Sequence, residues 1–414
     1  MQGKDTINST LSQLFNPLSD KYTLQKIHSS GVDKYVKKLT TSKFIQLMVY
    51  AQLEQQQGLR DISNALNDDK FSENIGLDSI SASQISRKLR STDPKITQML
   101  LKSTIQETTK EMGFKDPIQS IGRIYLIDSS TISLCLSQYR WADFRKTKAG
   151  VKLHLRLNFF EEGVTPDKAI ITPARPSDKT QMDTLVVEDK DALNVFDRGY
   201  VDYEKFDNYC ENGTRFVTRL KSNAQIKVDE ELPVDPNGII KREQYVYLGK
   251  ENINQMKHRL RLIEIQDTLG EPIIIVTNNF KITAEETADI YRNRWQIELF
   301  FKWIKQHLRI KHFYGLSPWA VENQLFIALM TYCLLLLLKL KTCYRGPLLT
   351  IKRLLHTCLL EPFTSFVKKL YRPTRKSKGR RRKVDHETIF QETLRQVVQG
   401  EADFLDDLSY DPII

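Results

Sequence analysis

Four polar residues in the last third of the chain could act together on a phosphate ester. Tyr291, Arg294, Glu298 and Lys305 follow one another at spacings of three, four and seven residues. At about 100° per residue of a helix, their side chains fall within an arc of about 60°. A carboxylate flanked by cations on one helix face can hold a metal ion while the cations hold phosphates. The alternative interpretation is an exposed, solvated Glu-Lys helix face.

Two further carboxylates come directly after short apolar runs that predict strands. Asp128 follows residues 124–127, and Asp197 follows residues 194–196. A strand end carries a side chain to the edge of a sheet on a rigid element, so Asp128, Asp197 and Glu298 could converge. Phosphodiester cleavage can use two divalent ions about 3.5 to 4 Å apart to activate the nucleophile and stabilise the leaving oxygen. Oxygen ligands without a nearby His or Cys cluster favour Mg²⁺ or Mn²⁺ over zinc.

The segments that would position these acids change in character along the chain. Residues 1–115 carry apolar residues at helical spacing, which predicts a helical domain. Within it, residues 59–62 and 81–89 resemble a helix-turn-helix whose second, basic helix carries Arg87 and Lys88; a solvated face of a helical bundle is the alternative. From Arg123 onward the pattern predicts a sheet, in the order strand, strand, strand, helix, strand, helix, strand.

Glu298 is predicted to lie on a long helix that follows a β-rich segment. Residues 221–281 combine polar residues with strand signals and indicate an inserted β subdomain. The helix begins near Thr283, whose hydroxyl forms a capping box with Glu286, and it runs through about Leu308. An apolar stripe lying roughly 80 to 100° around the helix from the polar face would anchor it on the core.

The composition is that of an ordinary globular protein with an excess of positive charge. The chain has 414 residues, 40% of them hydrophobic and 27% charged, and a net charge of +11, which excludes wholesale disorder and collagen. The excess charge suggests nucleic acid or an anionic surface as partner. Five scattered cysteines without a C-x-x-C indicate neither a disulfide framework nor a zinc site. The first residues lack a secretory pattern, so we expect a cytoplasmic protein.

One apolar run and two blocks of opposite charge mark the C-terminal third. Residues 325–338 are too few to cross a bilayer and predict a buried helix, with no membrane partner. Residues 344–384 carry 13 Lys and Arg against one acid, whereas residues 385–414 carry eight acids against one Arg. We expect the basic block, with Arg380, Arg381 and Arg382, to bind phosphates; a solubilising linker is the alternative. The acidic end could mask that block in the free protein.

Taken together, the motifs resemble those of the bacterial insertion-sequence DDE transposases of the Tyr-Arg-Glu-Lys group. The resemblance rests on Asp128-Ser129-Ser130-Thr131, Lys152-Leu153-His154, Asp197-Arg198-Gly199-Tyr200 and the Y-x2-R-x3-E-x6-K spacing, and it extends over roughly residues 120–340. It implies an α/β, ribonuclease H-like catalytic core: a mixed five-stranded sheet flanked by helices, with an inserted β-rich subdomain and an all-α N-terminal domain. Asp128, Asp197 and Glu298 would be both the catalytic residues and the ligands of two Mg²⁺ ions, for which Mn²⁺ could substitute.

The resemblance also implies a domain plan and a set of DNA contacts. Residues 1–115 would bind the DNA ends, and residues 116–221 and 282–345 would form the catalytic core around the insertion at 222–281. Residues 346–414 would form a helical, basic region with an acidic tail. Tyr291, Arg294 and Lys305 would contact phosphates near the cleavage site. Arg198 would touch DNA or brace Asp197.

The activity implied is cut-and-paste transposition. The protein would bind the terminal inverted repeats of double-stranded DNA, hydrolyse a phosphodiester bond to free a 3′-OH, and join that end to target DNA, as a homodimer associated with the nucleoid. Relatives that pass through hairpinned ends use an aromatic residue, often Trp, in the insertion; residues 221–281 contain no Trp, only Tyr245, Tyr247 and Phe280 as aromatic residues. Two alternatives stay open: a catalytically silent DNA-binding protein derived from a transposase, and a ribonuclease H-like nuclease without strand transfer.

Overall fold

The chain folds into two compact units. The structure, a computed structural model, describes residues 9–113, 122–160, 163–266 and 270–372, together with Arg395. The first unit comprises Met1–Phe114 with Lys302–Ile414, and the second comprises Lys115–Phe301. The predicted domain plan had assigned residues 282–345 to the catalytic core. In the structure, residues from Lys302 onward group instead with the N-terminal helices.

The helices of the first unit precede and follow the sheet in sequence. Those before it are α1 (Thr10–Phe15), α2 (Lys21–Ser29), α3 (Thr41–Leu53), α4 (Leu59–Asn64), α5 (Asp69–Ile75), α6 (Ala82–Ser91) and α7 (Pro94–Met112). In the second unit lie α8 (Met182–Leu185), α9 (Tyr203–Asn212) and α10 (Ala284–Asn293), and α11 (Trp295–His307) crosses the unit boundary. The later helices of the first unit are α12 (Pro318–Lys341), α13 (Leu348–Cys358) and α14 (Phe363–Leu370).

Helix α12 forms the core of the first unit and contains the apolar run that the sequence predicts to be buried. It packs against α3, α6, α7 and α13. By length and composition it could cross a membrane, but 89% of its most apolar window is buried inside the protein, which confirms the buried helix. Its buried Asn323 accepts a hydrogen bond from Thr97 Oγ1 (2.7 Å) and donates to the carbonyls of Leu89 (3.0 Å) and Thr92 (2.8 Å).

The predicted helix-turn-helix does not form as a pair of helices joined by a short turn. Its two segments are α4 and α6, which pack against each other, but α5 intervenes between them. Residues 59–62 and 81–89 are too far apart in sequence for the three- to four-residue turn of that motif. A capping box starts α6, in which Ser81 Oγ accepts from the backbone N–H of Gln84 and the Gln84 side chain accepts from the backbone N–H of Ser81.

The second unit is built on one mixed sheet of ten strands. The strands are β1 (Arg123–Leu134), β2 (Asp143–Arg145), β3 (Lys148–Phe160), β4 (Gly163–Pro173), β5 (Ala192–Phe196), β6 (Arg215–Arg219), β7 (Ile226–Leu232), β8 (Ile240–Leu248), β9 (Leu260–Gln266) and β10 (Pro272–Thr277). Their order is β2-β3-β1-β5-β6-β10-β9-β8-β7, and β4 also pairs with β3. The β1–β5 and β5–β6 pairs are parallel, and every other pair is antiparallel.

The β-rich insertion continues the predicted mixed sheet instead of forming a sheet of its own, so one sheet holds ten strands rather than five. β10 pairs with β6 through Ile275↔Arg219 to Thr277↔Val217, and β9, β8 and β7 follow outward. Asn278, just after β10, fixes this junction because its side chain accepts from the N–H of Phe216 (2.9 Å) and donates to the carbonyl of Thr214 (2.8 Å). Backbone hydrogen bonding across β6 and β10 therefore merges the insertion with the core.

The long helix predicted from Thr283 to about Leu308 is divided at Arg294. The predicted capping box is confirmed: the Thr283 hydroxyl accepts from the N–H of Glu286 (3.1 Å), and Glu286 Oε2 accepts from the N–H of Thr283 (2.7 Å). At the division, the N–H of Arg294 donates to Tyr291 O (3.0 Å) and the N–H of Ile297 donates to Arg294 O (3.1 Å). These bonds span three residues and tighten the backbone into a 3₁₀ turn between α10 and α11.

Candidate active site

The two aspartates lie side by side where parallel pairing ends. The last Cα pair between β1 and β5 is Ile127↔Phe196; Asp128 directly follows Ile127 and Asp197 directly follows Phe196. The carboxyl ends of adjacent parallel strands share one edge of a sheet, so both carboxylates are delivered to the same place. Asp128 does not end its strand, as the sequence had suggested: β1 continues to Leu134, pairing with β3.

The loop after β5 is shaped around the carboxylate of Asp197. This side chain caps a 3₁₀ turn at Arg198–Tyr200, with Oδ1 accepting from the N–H of Gly199 (2.9 Å). A Cβ at Gly199 would lie 3.0 Å from that oxygen, so glycine allows the close approach. Behind it, Thr218 Oγ1 on β6 donates to the carbonyl of Asp197 (3.2 Å). The turn therefore holds Asp197 through its backbone and its side chain.

Arg294 joins the first aspartate to the glutamate. Its Nη1 lies 3.4 Å from Asp128 Oδ2, and its Nη2 donates to the carboxylate of Glu298 one helical turn further on. The side chains of Arg294, Asp128 and Glu298 are only 14%, 16% and 19% exposed. The guanidinium also lies over the ring of Tyr291, 5.8 Å from its centroid. The 3₁₀ turn at Arg294 thus places this cation between carboxylates of the sheet and of α11.

The carboxylates interact electrostatically across this edge. Burial raises the pKa of Asp128 well above its ordinary value, the charge of Asp197 raises it further, and Arg294 opposes both effects. Burial also raises the pKa of Glu298, with Arg294 lowering it and Asp197 raising it. For Arg294, burial disfavours the charged form, but the negative charges of Glu298, Asp128 and Asp197 outweigh this effect and raise the pKa of the guanidinium. Three acids crowded around one arginine form a site that attracts further cations.

The donor set suits a hard divalent cation, although the ligands are not preassembled. Carboxylate oxygens are the ligands that Mg²⁺ and Mn²⁺ prefer. Within the described residues, no group of three or more His, Cys, Asp or Glu side chains is arranged as a metal cluster. Arg294 instead pairs with two of the three predicted ligands. A cation bound to Asp128 and Glu298 would therefore compete with the arginine.

A second polar cluster lies beside Asp128. Ser129 Oγ donates to Asp178 Oδ1 (2.6 Å), and Lys152 Nζ lies 2.9 Å from the same oxygen. His154, on β3 opposite Ser129, is fully buried, and its Nε2 is 2.9 Å from Thr172 Oγ1. Burial lowers the pKa of His154 to about 4. Lys152 and His154, the matched Lys-Leu-His residues, thus tie β3 to Asp178 and β4.

The sequence did not identify two residues of this region, Asp178 and Tyr200, as part of the site. Asp178 lies in a 3₁₀ turn at Asp178–Gln181, where no strand or helix periodicity marks it. Tyr200, the fourth residue of Asp197-Arg198-Gly199-Tyr200, is 1% exposed, and its hydroxyl has no hydrogen-bond partner among the described residues. Burial raises its pKa well above the ordinary value, and Asp128, Asp178 and Asp197 add to the effect. The position of Tyr200 within the quoted motif was the available signal.

The predicted DNA-binding residues are differently placed. Arg198 is exposed directly after Asp197, and Arg87 is exposed on α6. Lys88, which the sequence predicts to contact DNA, is instead only 11% exposed, and its ammonium pairs with Asp33 at 3.0 Å. Lys305 is on α11, two turns beyond Glu298, with 9% exposure. Arg380, Arg381 and Arg382 lie outside the described residues, as do residues 385–394 and 396–414 of the acidic end.

The second unit thus combines a mixed sheet flanked by helices with carboxylates gathered at one edge, an arrangement consistent with the α/β core of a transposase. A family model described as the transposase DDE domain matches residues 119–334, slightly more than half of the sequence, and the chain belongs to this family. The comparisons support a bacterial insertion-sequence DDE transposase, as the motifs had suggested. A second model, described as a domain of unknown function (DUF4372), matches residues 6–71.

Three named transposases resemble the chain over much of its length. The probable transposase for insertion sequence element IS5377 of Geobacillus stearothermophilus is 29% identical over 63% of this chain and 68% of its own. The putative transposase y4zB of Sinorhizobium fredii is 32% identical over 57% of this chain and 66% of its own. The putative transposase for insertion sequence element IS4SA of Synechocystis is 23% identical over 72% and 82%, respectively.

Proposed function

We propose that the protein is an active transposase. It would bind the terminal inverted repeats of its own element, hydrolyse a phosphodiester bond to free a 3′-OH, and join that end to target DNA. The observation that carries the proposal is the convergence of Asp128 and Asp197, at the end of the β1–β5 pairing, with Glu298, which Arg294 links to Asp128. This is the acid triad that the sequence predicts at the DDE positions.

The topology supports a ribonuclease H-like core. Strands β4, β3, β1, β5 and β6 run in that order across the sheet, the first three antiparallel and the last three parallel. Asp128 lies on the central strand of these five and Asp197 follows the next one. The insertion joins this core at β10, between the second aspartate and the glutamate.

Asp128, Asp197 and Glu298 are the proposed ligands of two Mg²⁺ ions, with Mn²⁺ as a possible substitute. When bound, such ions would help to deprotonate the nucleophile and stabilise the leaving oxygen. The chain's own part is to hold the carboxylates: the Gly199 N–H and the Thr218 hydroxyl orient Asp197, and the β3 pairing fixes the backbone of Asp128. Arg294 would balance the negative charge of Asp128 and Glu298 before the metal arrives.

The proposed DNA contacts follow from charge and position. Arg294, Tyr291, Lys305 and Arg198 would hold phosphates near the cleavage site rather than read sequence. The N-terminal helices, including exposed Arg87, would bind the terminal repeats, and the basic segment with residues 380–382 would add salt-dependent affinity. Two ends must be cut together, which favours a homodimer. We place the protein in the cytoplasm, on the nucleoid.

The test is an end-cleavage and strand-transfer assay with Mg²⁺ on DNA carrying the element's own termini. Wild type should cut and join, and Glu298→Gln should bind DNA but do neither. Glu285→Gln is the matched control, because Glu285 is exposed in the first turn of α10. Cutting without joining by the wild type would indicate a nuclease, and binding without cutting, also with Mn²⁺, would indicate a silent DNA-binding protein. Equal activity of wild type and Glu298→Gln would exclude the glutamate from the triad.

A further inference from the structure

Strands β1 and β3 continue well beyond the catalytic edge of the sheet. β5 pairs with β1 only as far as Ile127, whereas β1 keeps pairing with β3 from Asp128↔Leu155 to Leu134↔Ala149. We call the part of β1 and β3 beyond Asp128, with the residues that connect them, the β1–β3 hairpin. At about 3.3 Å per residue, the six residue-to-residue steps from Asp128 to Leu134 span about 20 Å. The hairpin therefore projects past the edge that carries Asp128 and Asp197.

The tip of the β1–β3 hairpin is strongly basic and exposed. Arg140, Arg145, Lys146 and Lys148 are all exposed, and Asp143 is the only acid between Leu134 and Lys148. In the described part of the chain none of these four cations forms an ion pair. The one acid of the tip, Asp143, pairs with Arg175, just after β4, at 3.6 Å. Four cations without carboxylate partners leave a surface suited to an anionic polymer.

The backbone of the tip is ordered by its own hydrogen bonds. The N–H of Tyr139 donates to Cys135 O (3.0 Å) and that of Ala142 donates to Tyr139 O (3.0 Å). Ala142 is fully buried, and the guanidinium of Arg145 lies over the ring of Phe144 at 5.0 Å. β2 then pairs back onto the start of β3 through Asp143↔Ala149. The four cations therefore lie on an ordered hairpin, which fixes their distance from Asp128.

We propose that the β1–β3 hairpin is a sequence-independent clamp for duplex DNA, contacting phosphates away from the cleavage site. The proposal rests on the proposed function, because it takes the DNA held at Asp128 to be continuous with the DNA held at the tip. A rise of about 3.4 Å per base pair converts the 20 Å reach into about six base pairs from the scissile phosphate. We assign the contact to phosphates, because exposed cations without carboxylate partners attract the DNA backbone irrespective of its sequence.

The test compares two variants that each remove three positive charges from the exposed surface of the same unit. The first is Arg145→Gln/Lys146→Gln/Lys148→Gln. The control is Lys227→Gln/Lys241→Gln/Lys250→Gln, whose exposed lysines lie on or next to β7 and β8, at the opposite end of the sheet. Binding of each protein to duplexes is measured from 50 to 200 mM salt. One duplex series extends four base pairs beyond the cleavage site and another extends twelve, with the extension placed on either side in turn.

We expect the hairpin variant to lower the salt slope by about 3 on the twelve-base-pair extension of one side, since each lost phosphate contact removes about one. On the four-base-pair extension the salt slope of the hairpin variant should equal that of wild type. The control variant should have the wild-type salt slope on every duplex. Equal slopes for all three proteins on every duplex would overturn the clamp. An equal loss on short and long duplexes would overturn its placement six base pairs from the cut. Cleavage by wild type is scored separately, so failure of the proposed function is distinguished from failure of the clamp.

Discussion

Replacement of Arg294 tests whether one guanidinium holds the carboxylate site together. Arg294→Met keeps much of the side-chain length but removes the charge between Asp128 and Glu298. All three side chains are less than one-fifth exposed, so the loss leaves two largely buried carboxylates without their cation. Removing one partner of a buried ion pair typically costs about 3 to 5 kcal/mol. We expect the second unit to lose stability by about that amount at neutral pH in EDTA.

The matched control is Arg292, which lies two residues earlier, in the last turn of α10. Arg292 pairs with Asp289 at 2.8 Å, but these side chains are 67% and 57% exposed. Exposed pairs contribute about 0 to 1 kcal/mol, so Arg292→Met should cost little. Hydrogen exchange of the buried amides of β5, which open when the sheet unfolds, reports the stability of this unit alone. A cost for Arg294→Met no larger than that for Arg292→Met would refute the bridging role.

The same variants test competition between arginine and metal. A ligand at 100 times its Kd stabilises the native state by about 2.7 kcal/mol. If Arg294 occupies part of the cation site, Mg²⁺ should bind Arg294→Met more tightly than wild type and recover part of the lost exchange protection. Arg292→Met should respond to Mg²⁺ as wild type does. Identical Mg²⁺ responses in all three proteins would show that the arginine and the metal do not compete.

Three further predictions concern stability and the tail. His154 is buried beside Asp178 and Lys152, and its pKa is about 4, against an ordinary value of 6.5. Between these pH values the histidine stays neutral in the folded protein, whereas in the unfolded chain it takes up a proton. The free energy of unfolding should therefore fall by about 3 kcal/mol as the pH drops from 6.5 to 4. Urea unfolding should show a shallower pH dependence for His154→Gln, and an unchanged one would contradict the assignment. Asn323→Leu removes the side-chain donor to the carbonyls of Leu89 and Thr92 and one of the two acceptors of the Thr97 hydroxyl. It should therefore destabilise the first unit by about 3 kcal/mol, measured by exchange of α7 amides; a loss below about 1 kcal/mol would contradict this. Deletion of residues 385–414 should tighten nonspecific DNA binding at low salt if the acidic end masks the basic block, and unchanged affinity would exclude masking.

Local signals predicted the parts of the site that depend on neighbouring residues. The capping box of Thr283 and Glu286 marks the start of the helix, and the apolar run before Asp197 marks the end of β5. Helical spacing also placed Arg294 and Glu298 on one face, since they are one turn apart. The division of the helix at Arg294 was not predictable in this way, because a constant 100° per residue assumes that the hydrogen-bonding pattern never changes.

Non-local pairing explains what the sequence did not reveal. Asp128 looked like a strand end because the apolar run stops there, but β1 continues through polar residues that pair with β3. Asp178 contacts Ser129 only because the chain between β4 and β5 folds back to it. In the same way, the pairing of β10 with β6 joins residues that are more than fifty positions apart. Patterns of a few residues carry no information about such partners.

The junction of β6 and β10 makes the insertion part of what positions Glu298. The chain leaves the core at the end of β6 and returns on its immediate neighbour, with Ile275 opposite Arg219. Asn278 and the guanidinium of Arg261, which donates to the carbonyl of Ile282, then fix the path into α10. The inner strands of the insertion, β9 and β10, thus act as a brace: they set where α10 begins and so where Glu298 stands relative to Asp197.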